Sequence, residues 1–396
     1  MELPEKTDVH RNDSSKYAVV VSLLLIILIL CIAFLVYLKN QGLSIKELNI
    51  NELFSKGIPA AEERAGGEVI SEFKYTREES VGFGVYDGLF VRCGSDGIRF
   101  LDEESVEQWS KPLLMNKPMV KSSGSYLLVA DSGGKDIYLI KGRSVRWNEK
   151  LENAIINADV NKKGFVSVVT EKEGYKGEVI VYDSYGNWMF TTVRAEDFIL
   201  SARVLASSQR TLITTVNTSG DAVKTNLEFV DMHGETQATV TAEDEIVSSA
   251  VELGNGWVVA AGSKSVLCIN SKGETVWKHS FDRIYSITSL SGNKAVAAVR
   301  VKDKSSLLDS GKTYIKMIDT KGKVSDIYSL ESDVVNLREH GGIIAVNTGE
   351  EVHFINSDGE VKAEYEPGMT VEDVFFMDKN KASVVLSNSV AVVDID

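Results

Sequence analysis

The sequence has little cysteine, histidine or proline: three Cys, five His and five Pro in 396 residues. Three cysteines are too few for a disulfide framework or a four-thiolate zinc site. The histidines show no metal-binding spacing such as His-Glu-x-x-His. The chain also has no basic surplus, because its formal net charge is −14. This charge argues against nucleic-acid binding, which needs a net basic surface.

The composition is that of a folded protein, with 43% apolar and 25% charged residues, so wholesale disorder is excluded. A length of 396 residues allows one large domain or two to three smaller ones. From Glu68 onward, helical patterns long enough for crossover helices are absent, which excludes the α/β folds.

One long uncharged run, Tyr17–Leu38, predicts a transmembrane helix. At about 1.5 Å per residue it is long enough for a hydrocarbon core of roughly 30 Å. Tyr17 and Tyr37 lie at its ends, where aromatic rings prefer the headgroup region, and Lys16 and Lys39 flank it. A cleaved signal peptide has a shorter apolar core and a small-residue cleavage site. A lipoprotein signal has a small residue before its cysteine, whereas the bulky Leu30 precedes Cys31.

The basic residues around this run predict its orientation. Three of them precede it and two follow closely, which favours a cytoplasmic N-terminus and an extracytoplasmic C-terminal domain. The sequence therefore predicts four regions: a cytoplasmic tail (1–16), a signal-anchor helix (17–38), a juxtamembrane linker (39–67) and a folded domain (68–396). The protein is expected in the cell membrane as a single-pass protein.

From Glu68 onward the sequence repeats a β-type unit of roughly 40 residues. In each copy an apolar strand ends at a turn position, and a second strand follows that often contains Trp. The turn positions are separated by 37 to 49 residues and are Asp102, Lys141, Asp183, Asp231, Asn270, Asp319, Asn356 and Asp394. This period is typical of the four-stranded blades of a β-propeller, whereas a β-solenoid usually repeats at shorter intervals.

The sequence predicts an all-β fold with a single propeller of eight blades. Seven blades is the alternative if the weak copy that ends at Lys141 is misread. The chain stops just after the third strand of its eighth copy, and Glu68–Tyr75 has a strand pattern but no blade of its own. We expect this segment to supply the missing outer strand and close the ring, which protects the sheet edges.

Ser265–Lys278 resembles the repeat of pyrroloquinoline-quinone-type β-propellers, in which a strand, Asp, a Gly turn and Trp follow in order, and Val179–Trp188 matches nearly as well. WD-like propellers share the blade architecture, but the chain has no Trp-Asp or Gly-His pair. The resemblance covers residues 68–396 at blade level, and the closest overall likeness is to membrane-anchored bacterial propellers of uncharacterised type. It implies the fold alone, because such propellers include both quinone-dependent dehydrogenases and non-catalytic envelope scaffolds.

No residue is assigned to catalysis, to a cofactor or to a metal. The repeated tryptophans Trp109, Trp147, Trp188 and Trp277 are expected to pack between neighbouring blades. Ser310–Thr313 copies the end of a phosphate-binding loop, but the first glycine and the helix that such a loop needs are missing. Asn356–Glu360 resembles a calcium loop with too few oxygen ligands, so a turn is expected in both places. Cys93 and Cys268 are expected to be buried as free thiols.

These patterns favour a non-enzymatic, membrane-anchored scaffold that binds other envelope proteins. The alternative is a propeller that binds a small ligand, such as a sugar, a wall fragment or a quinone, at its central channel. No cofactor is predicted. The partners predicted are the membrane, through the single span, and envelope proteins.

Overall fold

The computed structural model describes residues 67–76, 80–291, 293–302 and 311–396. These residues form 32 strands, β1 to β32, and no helix. The predicted transmembrane helix, tail and most of the linker lie outside the described residues. The described residues therefore contain no helix that could cross a membrane.

The strands form eight antiparallel sheets of four strands each, so the fold is all-β and the eight-bladed prediction is confirmed. Within a blade the strands follow one another in chain order from the innermost to the outermost. Blade 1 contains β2 (Gly82–Tyr86), β3 (Leu89–Gly94), β4 (Gly97–Leu101) and β5 (Glu107–Lys111), and blade 2 contains β6 (Pro118–Ser123), β7 (Tyr126–Asp131), β8 (Asp136–Lys141) and β9 (Ser144–Lys150). Blade 3 contains β10 (Ile155–Val160), β11 (Val166–Thr170), β12 (Gly177–Tyr182) and β13 (Trp188–Arg194), and blade 4 contains β14 (Phe198–Val204), β15 (Thr211–Asn217), β16 (Lys224–Val230) and β17 (Thr236–Glu243).

The other four blades follow the same order, except that the outermost strand of blade 8 comes from the start of the domain. Blade 5 contains β18 (Ser249–Glu252), β19 (Val258–Ala261), β20 (Ser265–Ile269) and β21 (Thr275–Ser280), and blade 6 contains β22 (Arg283–Leu290), β23 (Lys294–Val301), β24 (Lys312–Asp319) and β25 (Val324–Leu330). Blade 7 contains β26 (Asn336–His340), β27 (Ile343–Asn347), β28 (Val352–Asn356) and β29 (Val361–Tyr365), and blade 8 contains β30 (Val371–Phe376), β31 (Lys381–Leu386), β32 (Ser389–Asp394) and β1 (Glu68–Lys74).

The ring closes through β1, as predicted. This strand pairs antiparallel with β32, from Glu68 opposite Asp394 to Lys74 opposite Ser389. Phe73 packs into a core shared by blades 8 and 1, with its ring 5.5 Å from that of Phe90. The Ser71 hydroxyl also donates to the carbonyl of Glu103 in blade 1, at 2.5 Å. Closure therefore joins the first and last described segments of the propeller.

The hydrophobic core lies between blades. One buried cluster fills each of the eight contacts between neighbouring blades, and each cluster takes residues from both. The second strands of the blades are almost entirely buried; β7, β11 and β19, for example, are buried along their whole length. Because both faces of such a strand are covered, its sequence is continuously apolar instead of alternating.

The recurring turn between the third and fourth strands has one geometry in most blades. In blade 3 the Asp183 carboxylate accepts hydrogen bonds from the amides of Tyr185 at 2.7 Å and Asn187 at 3.0 Å. Gly186 adopts a positive φ of 87° there. The same pattern is built on Asp231, Asn270, Asp319 and Asn356. A side chain that satisfies the backbone of its own turn explains why the repeat keeps Asp or Asn at this place.

The weak copy that ends at Lys141 is a true blade with a shorter turn. Lys141 pairs with Ser144, so the hairpin has a two-residue loop, and Gly142 has a φ of 61°. Such a loop needs positive φ instead of an Asp or Asn cap. The seven-bladed alternative is therefore wrong.

We expect Asp183→Ala to lower the free energy of unfolding by about 1 kcal/mol, because the turn amides lose their acceptor. Asp183→Asn should leave the free energy of unfolding nearly unchanged at pH 7, since the side chains of Asn270 and Asn356 accept the same hydrogen bonds in their turns. Burial alone would raise the pKa of Asp183, but the hydrogen bonds from Asn187 and from the turn amides outweigh it and hold the pKa below its ordinary value.

A carboxyl with a lowered folded-state pKa stabilises the fold above its unfolded pKa of about 3.9, and this contribution is lost as the pH falls through the folded value. The difference in the free energy of unfolding between the parent and Asp183→Asn should therefore change below about pH 4, where the parent loses this contribution. Urea titrations of the three proteins at pH 7 and pH 3 measure both effects. Equal stabilities for Asp183→Ala and the parent at pH 7 would contradict this account of the turn.

Candidate functional site

The innermost strands surround a central channel that opens on two faces of the propeller. We call the upper face the one where these strands begin, and the lower face the one where they end. The upper face carries the connections between blades and those between second and third strands. The lower face carries the remaining turns, including the Asp and Asn turns. Gly67 lies at the lower face, because β1 starts opposite the end of β32.

The channel near the lower face holds a cavity of about 400 Å³ on blades 2 to 6. Three of its charged side chains, those of Asp159, Arg203 and Glu252, make hydrogen bonds across blades. Arg203 of blade 4 donates to the Asp159 carboxylate of blade 3 at 2.9 Å and to the carbonyl of Ala250 in blade 5 at 2.8 Å. The Glu252 carboxylate accepts from the amides of Ala206 and Ser207, at 2.8 and 2.9 Å. These contacts tie neighbouring inner strands together.

The same part of the channel offers hydroxyl and ammonium groups. The wall of the cavity includes Ser122, Ser123 and Ser289. A smaller cavity of about 190 Å³ deeper in the channel is lined in part by Lys121, which is exposed and has no hydrogen-bond or ion-pair partner among the described residues. This wall can hold a small polar molecule through hydroxyl groups and an ammonium.

Blades 1, 2, 7 and 8 form a second cavity of about 380 Å³ at the lower face. Arg338 holds the Asp373 carboxylate with two contacts, at 2.7 and 3.2 Å. His340 stacks on Phe376, with ring centroids 6.0 Å apart. The cavity is thus lined by an arginine that is engaged in an ion pair and by aromatic rings.

The histidines of the described part are dispersed instead of gathered at one site. His353 is buried between Glu364, whose carboxylate oxygen lies 3.1 Å from Nδ1, and Glu351, whose oxygen lies 3.0 Å from Nε2. His279 lies 2.8 Å from the carbonyl of Gly322 in the next blade. Within the described ranges, no group of three or more His, Cys, Asp or Glu side chains could hold a metal ion.

The calcium-loop-like segment Asn356–Glu360 is a turn, as expected, whereas Ser310 of the phosphate-loop-like segment lies outside the described residues and its last two residues, Lys312 and Thr313, belong to a strand. Lys312 begins β24 and pairs with Glu331 at 2.9 Å, so a strand follows the phosphate-loop-like segment instead of a helix. The Asn356 side chain accepts from the amides of Asp358 and Glu360, at 3.0 and 2.9 Å. Its oxygen is therefore engaged by the turn.

The described cysteines are free thiols in the core, as expected. Cys93 lies in β3 and Cys268 in β20, and both are buried. Burial raises the pKa of each thiol to about 12. Neither thiol is therefore a nucleophile at neutral pH. Cys31 lies outside the described residues.

The predicted packing of the tryptophans holds for three of the four. Trp109, Trp147 and Trp277 belong to the clusters between blades, and Trp277 also donates to the carbonyl of Thr320 at 3.1 Å. Trp188 differs, because it is 63% exposed. In its blade the buried Phe190, two residues later, fills the position that tryptophan fills elsewhere.

The pairing register of the strands explains why Trp188 is exposed. Trp147 lies opposite Leu139 and Trp277 opposite Cys268, each two residues before its turn position. In blade 3 the residue two before Asp183 is Val181, and its partner is Phe190. Trp188 comes earlier on the outer strand, beside the exposed Tyr185. A seven-residue spacing from Asp183 could have identified Phe190 from the sequence.

Exposed large apolar side chains gather on the upper face. Those on its loops and at the starts of the inner strands are Leu114, Ile156, Tyr175, Phe198, Leu200, Ile246, Val335 and Met369. The remaining ones lie on the lower face or on outer strands and are Val69, Ile70, Val106, Tyr185, Trp188 and Val276. Scattered apolar residues are ordinary, but a concentration on one face is typical of an interaction surface.

Comparisons with known proteins agree with this architecture. The model of a family of unknown function, DUF5711, matches residues 62–395. BamB from Moraxella catarrhalis is similar in structure, with a TM-score of 0.53 and 12% identity over 83% of this chain and 97% of BamB. The C-terminal WD40 domain of Sif2 gives a TM-score of 0.58 and 12% identity over 84% of this chain and 99% of that domain. At such identities the similarity shows the fold alone. No curated protein matches the sequence.

Proposed function

Since the chain belongs to the DUF5711 family, we propose that it acts as a membrane-anchored, extracytoplasmic β-propeller that binds other proteins of the cell envelope without catalysing a reaction. The observation that carries this proposal is the concentration of exposed apolar side chains on the upper face. Apolar side chains that are exposed to water do not stabilise the fold, whereas a protein interface removes them from water.

The closed ring suits this function. Eight inter-blade cores hold the blades together, so the loops of both faces can vary without loss of the fold. Repeat segments such as Val179–Trp188 support a propeller of the pyrroloquinoline-quinone-like type. The similarity to BamB and to a WD40 domain adds a precedent for the architecture.

The membrane location in this proposal rests on the sequence of Tyr17–Leu38, which predicts a signal anchor. Gly67, the first described residue of the propeller, lies at its lower face. The apolar side chains of the upper face lie at the opposite end of the channel.

Chemical crosslinking of the full chain in intact cells tests the proposal. We expect discrete, reproducible adducts with envelope proteins, because an interface buries the exposed apolar residues of the upper face. Recovery of the monomer alone with reagents of several chemistries and spacer lengths would contradict the proposed function.

The polar channel favours one second candidate, a propeller that binds a small ligand. Lys121 and the serines near it are the groups that would hold a hydroxylated or anionic molecule. A tight ligand raises the melting temperature by mass action. A rise with a sugar, a wall fragment or a quinone, in a protein that forms no crosslinked adduct, would replace the scaffold with this candidate.

A further inference from the structure

One part of the upper face, from blade 3 to the start of blade 5, carries five of these exposed apolar side chains. We call it the upper patch and define it by Ile156, Tyr175, Phe198, Leu200 and Ile246, all of them exposed. Blades 3 and 4 are joined there by a hydrogen bond from the side-chain Nδ2 of Asn157 to the carbonyl of Leu200, at 3.3 Å. The ammonium of Lys176 lies 4.6 Å from the centre of the Phe198 ring.

Two β-bulges turn side chains of the upper patch outward. The pairing of β10 with β11 shifts between Ile155 and Asn157, which leaves Ile156 unpaired. The pairing of β14 with β15 shifts in the same way between Ile199 and Ser201, which leaves Leu200 unpaired. A bulge redirects a side chain and interrupts the ladder, and such features concentrate at functional sites. The exposure of Ile156 and Leu200 thus follows from how the two strands are built.

Carboxylates surround the upper patch on four separate loops. The exposed ones are Glu171, Glu173, Glu196, Asp221 and Asp244. The basic side chains nearby are largely engaged: Lys172 pairs with Glu178 at 3.1 Å, Lys224 with Glu243 at 3.6 Å and Arg194 with Glu228 at 2.5 Å. The surface that a partner meets is therefore apolar at its centre and acidic at its rim.

We infer that the upper patch binds a basic segment of a partner protein, whose apolar side chains cover Phe198, Leu200 and Ile246 while its Lys and Arg side chains face the carboxylates. This inference rests on the proposed function and specifies the partner. Apolar anchors with a complementary charged rim are the usual anatomy of a protein interface. The acidic rim, together with the net charge of −14, repels an anionic lipid surface or a nucleic acid.

Site-specific photocrosslinking of the full chain in its own cells tests the inference. A benzophenone amino acid replaces Phe198 in one protein and Tyr185, on the lower face, in the control; both positions are exposed, so the fold tolerates the change. We expect a protein adduct from position 198, and mass spectrometry should place the attachment in a segment rich in Lys or Arg and in apolar residues. An adduct with lipid, an attachment to an acidic or neutral segment, or no adduct from position 198 overturns the inference.

Charge reversal at the rim adds a second measurement. Glu196→Lys together with Asp221→Lys should reduce the yield of the adduct from position 198 roughly tenfold, because the rim charges steer the partner. The matched control, Glu235→Lys with Asp358→Lys on the lower face, has the same change in net charge and should leave the yield unchanged. Equal losses in the two double variants would mean that net charge alone matters, and this would also overturn the inference.

The outcomes separate the inference from the proposed function. Adducts from position 185 but not from position 198 would leave the scaffold function in place and place its partner on the lower face. The absence of adducts from both positions, with no chemical crosslinks in intact cells, would refute both proposals.

Discussion

Deletion of Glu68–Lys74 is expected to abolish cooperative unfolding of the propeller or to lower its melting temperature sharply. These residues form β1, the outermost strand of blade 8. Without it, β32 becomes an open edge, and the core between blades 8 and 1 loses Phe73. An unpaired edge of this kind also promotes aggregation.

The expected loss is large relative to the stability of a domain. Six residue pairs join β1 to β32, so the ladder hydrogen bonds, at about 1 kcal/mol each, and the half-buried Phe73 ring, at about 1–2 kcal/mol, amount to roughly 5–8 kcal/mol. This is comparable with the roughly 5–15 kcal/mol that stabilises typical proteins. The hydrogen bond from the Ser71 hydroxyl to the backbone carbonyl of Glu103 in blade 1 is lost with the strand, and the nearby ion pair between Glu103 and Lys381 is weakened because β1 no longer holds Glu103 in place.

Thermal melting followed by circular dichroism measures this effect. The control is a deletion of the same length in the predicted linker, residues 50–56, which should leave the transition of the propeller unchanged. A closing-strand deletion that melts like the parent would mean that β1 does not contribute to the ring.

Phe354→Ala is expected to lower the free energy of unfolding by about 3–5 kcal/mol. The Phe354 side chain is fully buried in the core between blades 7 and 8, with its ring 6.0 Å from that of Phe376. Truncation removes apolar contacts and leaves a cavity, and the covering strands of two blades can collapse into it only in part.

Urea denaturation of the variant and the parent provides the measurement. Leu114→Ala is the matched control, because Leu114 is 88% exposed on the upper face and its truncation should change stability by less than about 0.5 kcal/mol. Similar losses for the two variants would contradict the placement of the core between the blades.

The sequence was sufficient for the number of blades and for their closure. The period of the turn positions reflects a local cause, because Asp and Asn side chains cap the turns that join third and fourth strands. The partner of Glu68–Lys74 could be predicted because the last copy lacks one strand. Both inferences depend on order along the chain, and this order is preserved in a propeller.

The arrangement of individual side chains could not be predicted in the same way. Trp188 has the expected type and almost the expected spacing, yet a displacement of two residues places Phe190 in the core instead. The ion pair between Arg203 and Asp159 joins two blades whose relative position only the fold defines. The bulges at Ile156 and Leu200 depend on the pairing register, which the apolar pattern of the strands does not specify.

A disulfide between the closing strand and its partner tests the closed eight-bladed ring most directly. Lys74 and Ser389 lie opposite each other across β1 and β32, and opposed residues of an antiparallel pair have Cα atoms about 4.5–5.5 Å apart, a separation that a disulfide can span. The native Cys93 and Cys268 are buried and do not interfere, and Cys31 is replaced by Ser. Mild oxidation of Lys74→Cys/Ser389→Cys should join the two peptides in nearly every molecule, as measured by mass spectrometry. A yield no higher than that of Lys74→Cys/Ser329→Cys, whose second position lies on the outer strand of blade 6, would contradict the ring.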